Sequence, residues 1–252
     1  MTLGALAFAA ALHTPHAVDT LQVVLVVNDT AAQRSLLRGV RLGAEEASHT
    51  GALFGTSVTL RVESGSVADP AIGGGRSPLP GASHASLYVV AGDASTCSRV
   101  MLRSAPAKIP VLDAGCALDD SVRAATVYSL TANPGRTTSA GDSARLELWH
   151  WSLERFGAEQ LNERFRRRFG ARMDSPAWTG WFAMKIALDA ALHAKATDSA
   201  ALLRELADPR AQYDGQKGRP LRFARDTRRL IQPRYRIAGH GDAEHVIAEV
   251  NP

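Results

Sequence analysis

Thr20–Val27 (TLQVVLVV), the turn Asn28–Asp29–Thr30 and Ala31–Ser48 (AAQRSLLRGVRLGAEEAS) decide the reading of the fold. The first run is almost wholly apolar, of strand length and rich in valine. That is the pattern of a strand buried on both faces, as in a parallel sheet. Thr30 and Gln33 have the spacing of a capping box. Leu36, Leu37, Val40, Ala44 and Ala47 then recur at three- and four-residue intervals, which predicts one helix face ending before Gly51. Ser57–Val62 reads as the next strand, completing a strand–helix–strand unit.

Working outward, short strands are expected at Ser86–Ala91, Ile109–Asp113 and Thr126–Leu130, with a helix over Ser95–Ser104. Ala68–Ala85 (ADPAIGGGRSPLPGASHA) is too rich in glycine and proline for a helix, so one crossover is expected to be loop. Residues 18–130 therefore read as a doubly wound parallel α/β lobe. Residues 131–144 read as a polar linker, and 145–252 as a reduced, mostly helical second lobe with C-terminal strands. Leu146, Trp149, Leu153 and Phe156 predict a helix stopped by Gly157; Leu161, Phe165 and Phe169 predict another stopped by Gly170. Ser175–Pro176 reads as an N-cap followed by proline at the first helical position. That helix carries Ala177, Trp181, Met184, Leu188 and Ala191 to about Ala194. Asp198 caps a further helix through Leu206. Leu221–Phe223, Arg234–Ala238 and His245–Val250 read as strands, the last two joined by a turn at Gly239–Asp242.

The chain has 252 residues, 45% of them apolar, which excludes a disordered polypeptide. Two cysteines are too few for a disulfide scaffold. Lys and Arg number 29 against 25 Asp and Glu, with the signs interleaved and no basic-aromatic motif, so no nucleic-acid partner is expected. Leu3–Leu12 is a ten-residue apolar stretch that suits the core of a secretory signal and is too short to span a bilayer. Residues 1–17 are expected to be removed on export, which places the protein in the periplasm.

The opening unit, with SVTLRVES after it, resembles the start of type I periplasmic solute-binding proteins, the branched-chain-amino-acid type that serve ABC transporters. FGAEQLNERFRRRFGARMDSPAWTGWFAMKIALDAAL, TDSAALLRELAD and YDGQKGRPLRFARDTRRLIQPRYRI resemble that family's ending. They are most similar to the subgroup encoded beside PQQ-dependent alcohol dehydrogenases. Lys217, Gly218, Phe223, Gln232 and Pro233 carry the most specific part. The resemblance implies a non-enzymatic protein that binds a small-molecule solute and meets ABC transporter membrane subunits, with a link to quinoprotein alcohol oxidation. The sequence departs from the family pattern after Leu130, where a complete second α/β lobe of roughly 100 residues would be expected. An accessory or interaction protein that has lost its pocket is the alternative, and a homodimer or a periplasmic partner protein is a further expectation.

Ligands of doubly wound sheets bind outside the carboxyl ends of the strands. The candidate ligand-binding residues there are Asp29, Asp93, Ser95, Thr96, Asp113 and Cys116. In the resembled family the hydroxyl-bearing loop after the third strand holds the ligand, and Ser95–Thr96 falls there; the alternative is that these residues only cap a helix. Asp29, Asp93 and Asp113 offer too few oxygens for a calcium site, and no metal or other cofactor is expected. Cys97 and Cys116 follow neighbouring strands and are candidates for one disulfide. Trp149, Trp151, Trp178 and Trp181 are either core or a partner surface. Arg164, Arg166, Arg167, Arg168 and Arg172 read as a solvated basic face. His240, Asp242 and His245 read as turn residues, and His150 as a solvated or hydrogen-bonded helix residue. No nucleophile elbow, phosphate loop or zinc-protease motif occurs.

Overall fold

The computed structural model describes residues 19–28, 30–64, 85–116, 124–131 and 145–251. The expected signal segment, Asp29, the linker beyond Thr131 and the Gly/Pro-rich stretch as far as His84 lie outside the described residues.

β1 (Asp19–Val27), β2 (Thr56–Ser64), β3 (Leu87–Gly92), β4 (Val111–Cys116) and β5 (Val127–Ser129) form one sheet in the order β2-β1-β3-β4-β5. Every pairing in it is parallel. Alternation along β1 sorts the side chains between two cores. Leu21, Val23 and Leu25 join Leu87, Val89, Leu112 and Tyr128 on the face covered by α1 (Ala31–Leu53) and α4 (Ser175–Ala194). Val24 and Val26 join Tyr88, Val90, Val111 and Val127 on the face covered by α2 (Ala94–Ser104). This is the doubly wound parallel lobe expected from the sequence.

α1 opens at Thr30, whose hydroxyl accepts from the Gln33 amide, and the two side chains also meet each other. It does not stop before Gly51. That residue is buried inside the helix, where a Cβ would lie 2.6 Å from the Thr56 carbonyl, so the glycine serves close helix–strand approach. The reversal comes instead at Gly55, at φ 73°. α1 and α4 touch backbone to backbone. A Cβ on Gly39 would lie 1.8 Å from the Ala177 carbonyl, and one on Gly180 would lie 2.3 Å from that of Leu36.

The chain from Leu146 to Phe156 is not helical. Arg145–Glu147 is strand β6, paired antiparallel with β10 (Arg234–Ala238), and turns follow as far as Gly157. The Ser175 hydroxyl accepts from the amides of Leu148 and Trp149, holding this stretch extended against the start of α4. Ser175 is therefore not the N-cap of α4. Asp174 caps it, accepting from the Ala177 amide at 2.9 Å, and Ser35 at the start of α1 donates to the same carboxylate at 2.6 Å. α3 (Ala158–Phe169) ends at Gly170 in the left-handed region, and α5 (Ser199–Ala207) is capped by Asp198, both as the sequence predicts.

β7 (Tyr213–Asp214), β8 (Pro220–Phe223) and β9 (Leu230–Ile231) make a small antiparallel sheet, and β6, β10 and β11 (His245–Val250) make a second, in the order β11-β10-β6. α4 is buried on nearly every side, as a helix between two apolar layers must be. Its residues, those of α3 and those of the parallel sheet share one hydrophobic cluster, which thus crosses the expected lobe boundary.

Three of the four tryptophans belong to that cluster, which corrects the partner-surface reading for them. Trp149, Trp178 and Trp181 are buried, and each indole N–H has an acceptor: Asn162 Oδ1, the Gly215 carbonyl and Glu46 Oε2. Trp151 is half-buried beneath the Arg172 guanidinium, 3.9 Å from its ring centre. The basic face is solvated but paired. Arg164 meets Glu46, Arg166 and Arg167 meet Glu163, Arg168 meets Glu45, and Arg172 meets Asp242.

Candidate functional site at the carboxyl edge of the sheet

β1, β3, β4 and β5 end at one edge, and their terminal residues are linked side chain to backbone. Asn28 leaves β1 and bridges to the next crossover: its Nδ2 donates to Asp93 Oδ2 at 3.2 Å and Thr96 Oγ1 at 3.4 Å, and its Oδ1 accepts from the Asp93 amide at 3.2 Å. Gly92 makes room for this bridge, since a Cβ there would lie 2.1 Å from Asn28 Oδ1.

Asp93 is the N-cap of α2. Its Oδ1 accepts from the Thr96 amide and the Ser95 hydroxyl, both at 2.7 Å. The Thr96 amide, then the Ser95 hydroxyl, hold its carboxyl below the usual range. The start of α2 thus already carries a carboxylate, Asp93 itself, where a ligand carboxylate was expected. Ser95 and Thr96 are in place, yet both are engaged in this cluster.

Asp113 is fully buried. Its Oδ1 accepts from the amides of Gly115 and Cys116 at 3.2 and 2.8 Å, and its Oδ2 accepts from Ser129 Oγ at 3.0 Å. It ties the end of β4 to β5 rather than facing solvent. Cys116 is buried too, and it forms a disulfide with Cys97 in the first turn of α2, with Cα atoms 6.0 Å apart. Of the six candidate ligand residues, Asp93, Ser95 and Thr96 gather in one cluster, Asp113 and Cys116 lie beneath the edge, and Asp29 is outside the described residues. Among the described residues no group of His, Cys, Asp or Glu could hold a metal ion.

The open space at this edge lies one strand further along. A cavity of ≈ 330 Å³ sits between the first turns of α1 and the end of β2, lined by Asn28, Gln33, Arg34, Leu37, Val62 and Glu63 among others. Asn28 stands between this cavity and the Asp93 cluster. Glu63 pairs with Arg61 at 3.0 Å, so the rim carries an amide, a guanidinium and a carboxylate over an apolar floor. Sequence reasoning passed over Gln33, Arg34 and Glu63. Their only signal was position, in the first turn after β1 and the last residues of β2.

Beyond the edge, Arg145 donates to Glu244 through both terminal nitrogens at 2.8 Å. The Arg145 guanidinium holds Glu244 down to about 2. His150 is buried, with Nδ1 2.8 Å from Ser152 Oγ and Nε2 3.5 Å from Glu244 Oε2. Burial pushes its imidazole below the ordinary value, against the pull of Glu244. Of the two expectations, solvated or hydrogen-bonded, it is the second, and it lies just before the turn at Trp151 rather than in a helix. His240 and Asp242 lie in the β10–β11 turn, with Asp242 paired to Arg172, whereas His245 opens β11 opposite Ala238.

No protein-family model matches the sequence, and no curated protein matches it. Solved structures do. An ABC transporter substrate-binding protein from Sphaerobacter thermophilus superposes with a TM-score of 0.71 at 12% identity, over 92% of this chain and 98% of that one. An ABC-type branched-chain amino acid transporter protein from Rhodopseudomonas palustris gives 0.70 at 11% identity, over 92% and 96%. The branched-chain amino acid transporter substrate-binding protein from Streptococcus pneumoniae, in complex with isoleucine, gives 0.69 at 10% identity, over 92% and 100%. At such identities the likeness establishes the fold, that of periplasmic binding proteins of ABC transporters.

Proposed function

We propose that the chain is a non-enzymatic, periplasmic solute-binding component of an ABC-type importer, taking a small polar solute at the carboxyl edge of its parallel sheet. The observation that carries this reading is the cavity between α1 and β2, at the edge where doubly wound sheets bind ligands. Gln33 and Arg34 supply donors, Glu63 an acceptor, and Leu37 and Val62 an apolar floor. Asn28 couples the cavity to Asp93, Ser95 and Thr96, so a guest would be sensed by the α2 cap. The membrane subunits of the importer are the implied partner.

The link to quinoprotein alcohol oxidation rests on the C-terminal stretches of sequence alone. It makes alcohol-derived acids worth testing beside amino acids, which the isoleucine-bound structure suggests first. A thermal-shift screen over both sets tests the reading. Binding at a hundredfold excess over Kd adds about 2.7 kcal/mol, which shows as a clear rise in Tm. No rise with any member of either set would reject it. One observation favours the second reading, an accessory or interaction protein: Asp93 already fills the α2 N-terminus.

A further inference from the structure

A second, separate cavity lies at the opposite flank of the parallel sheet, beside its edge strand β5. Its volume is ≈ 260 Å³, below the range that holds drug-sized ligands. Tyr128 of β5 and Phe223 of β8 line it, their rings edge to face with centres 5.0 Å apart, and Leu206 and Pro209 add apolar wall. Arg225 and Arg228, from the turn between β8 and β9, line it as well.

Neither arginine forms an ion pair among the described residues, and Arg228 Nε is buried without a hydrogen-bond partner. A buried guanidinium nitrogen left unpaired is costly, so such a group is an argument for a missing acceptor. Arg228 is also held at φ 50°, a left-handed conformation uncommon outside glycine. Backbone bonds fix it there: its amide donates to the Ala224 carbonyl at 2.8 Å, and its carbonyl accepts from the Ser129 amide at 2.9 Å. The turn is thereby fastened to the sheet edge. The carboxylate that lines the cavity, Asp208, is taken by Arg210, which accounts for its depression to about 2. Asp226, within the turn, accepts from the Thr227 amide. The local balance of unsatisfied charge is therefore positive.

We propose that this cavity binds a compact organic carboxylate, its oxygens on Arg225 and Arg228 and its apolar body against Tyr128 and Phe223. Guanidinium pairs are well matched to a planar carboxylate, and the aromatic walls exclude a bare hydrated ion in favour of one with an apolar part. The site is independent of the carboxyl-edge reading.

Calorimetric titration of the full chain with benzoate, against benzamide as the neutral counterpart, tests it. Benzoate is expected to bind and benzamide to bind at least about tenfold more weakly, the effect of losing charge-assisted hydrogen bonds. Arg228→Gln is expected to weaken benzoate by a similar factor. Arg225→Gln, at an exposed position, is expected to weaken it as well without altering the melting curve. Methyl NMR locates the site: benzoate should shift Leu206, whereas shifts confined to Val27 and Val62 would put it at the other cavity and overturn the proposal. Equal binding of benzamide, unchanged binding by both variants, or no heat with benzoate would each overturn it too.

Discussion

The carboxyl edge of the sheet and the centre around Lys217 are built on opposite terms. At the edge, Asn28, Asp93, Ser95 and Thr96 are short side chains, mostly in reach of water, that bond to one another and to nearby backbone. Lys217 is fully buried: its ammonium donates to Gln232 Oε1 at 2.8 Å and to the Pro233 carbonyl at 3.1 Å, and it lies 3.9 Å from the centre of the Trp178 ring. Gln232 in turn donates to the Leu130 carbonyl at 2.7 Å, at the end of the parallel sheet. Burial pushes the Lys217 pKa well below the usual lysine range. The residues that make the sequence most specific, Lys217, Gln232 and Pro233, fasten the C-terminal hairpins to α4 and the sheet. Distinctive residues here mark architecture, and the open cavities are lined by ordinary ones.

That contrast predicts a large stability effect at one place and a binding effect at the other. Lys217→Ala leaves a void and two unpaired buried acceptors, and should cost about 3–5 kcal/mol in urea denaturation. Lys217→Met keeps the volume and should cost roughly half as much; native stability in that variant would break the contrast. The Cys97–Cys116 crosslink closes a loop of sequence separation 19. The double serine variant should lose about 3 kcal/mol, and reductant should destabilise the parent chain but not the variant. Gly92→Ala displaces the end of the Asn28 side chain, so its cost should be about 1 kcal/mol and nearly shared with Asn28→Ala. A double variant whose losses simply add would show that the two residues do not act together.

The smallest effect expected is one of pH. His150 titrates below 6.5 in the folded chain, so between its folded value and 6.5 the unfolded chain holds the extra proton. Stability should rise with pH through that window and level off above it, and His150→Gln should flatten the rise in Tm. Glu244 acts lower on the scale. Its contribution, present above about 4.5, should fade as pH falls toward about 2, and Arg145→Gln should remove that fading.

The parallel lobe was legible because β1, β3, β4 and β5 are mostly apolar runs and the edge strand β2 alternates, each agreeing with its neighbours. The stretch after β5 was harder to read. Leu146, Trp149, Leu153 and Phe156 have helical spacing, but β10, far along the chain, pairs with Arg145–Glu147 and Ser175 holds the next two amides. Gly51 read as a stop because a sequence does not show that a carbonyl from β2 lies against it. β7 and β9 were missed because two-residue strands leave no period to detect. At the candidate site, Asp93, Ser95 and Thr96 follow β3 as the sequence reading had them, whereas Asp113 lies inside β4, which runs on to Cys116. The cap that engages Asp93, Ser95 and Thr96 is local, but its tie to the end of β1 depends on the Asn28 bridge, a contact made across 65 positions.

The glycine contact between α1 and α4 has a consequence for how the chain comes into being. Ser35 and Asp174, at the paired helix starts, are 139 positions apart. At about 5–20 residues per second, roughly 7–28 s of synthesis separate the two helices. Throughout that interval the apolar flank of α1 has no mate, and the first lobe cannot close over its own sheet. A nascent chain so delayed stays available to holding chaperones until α4 emerges.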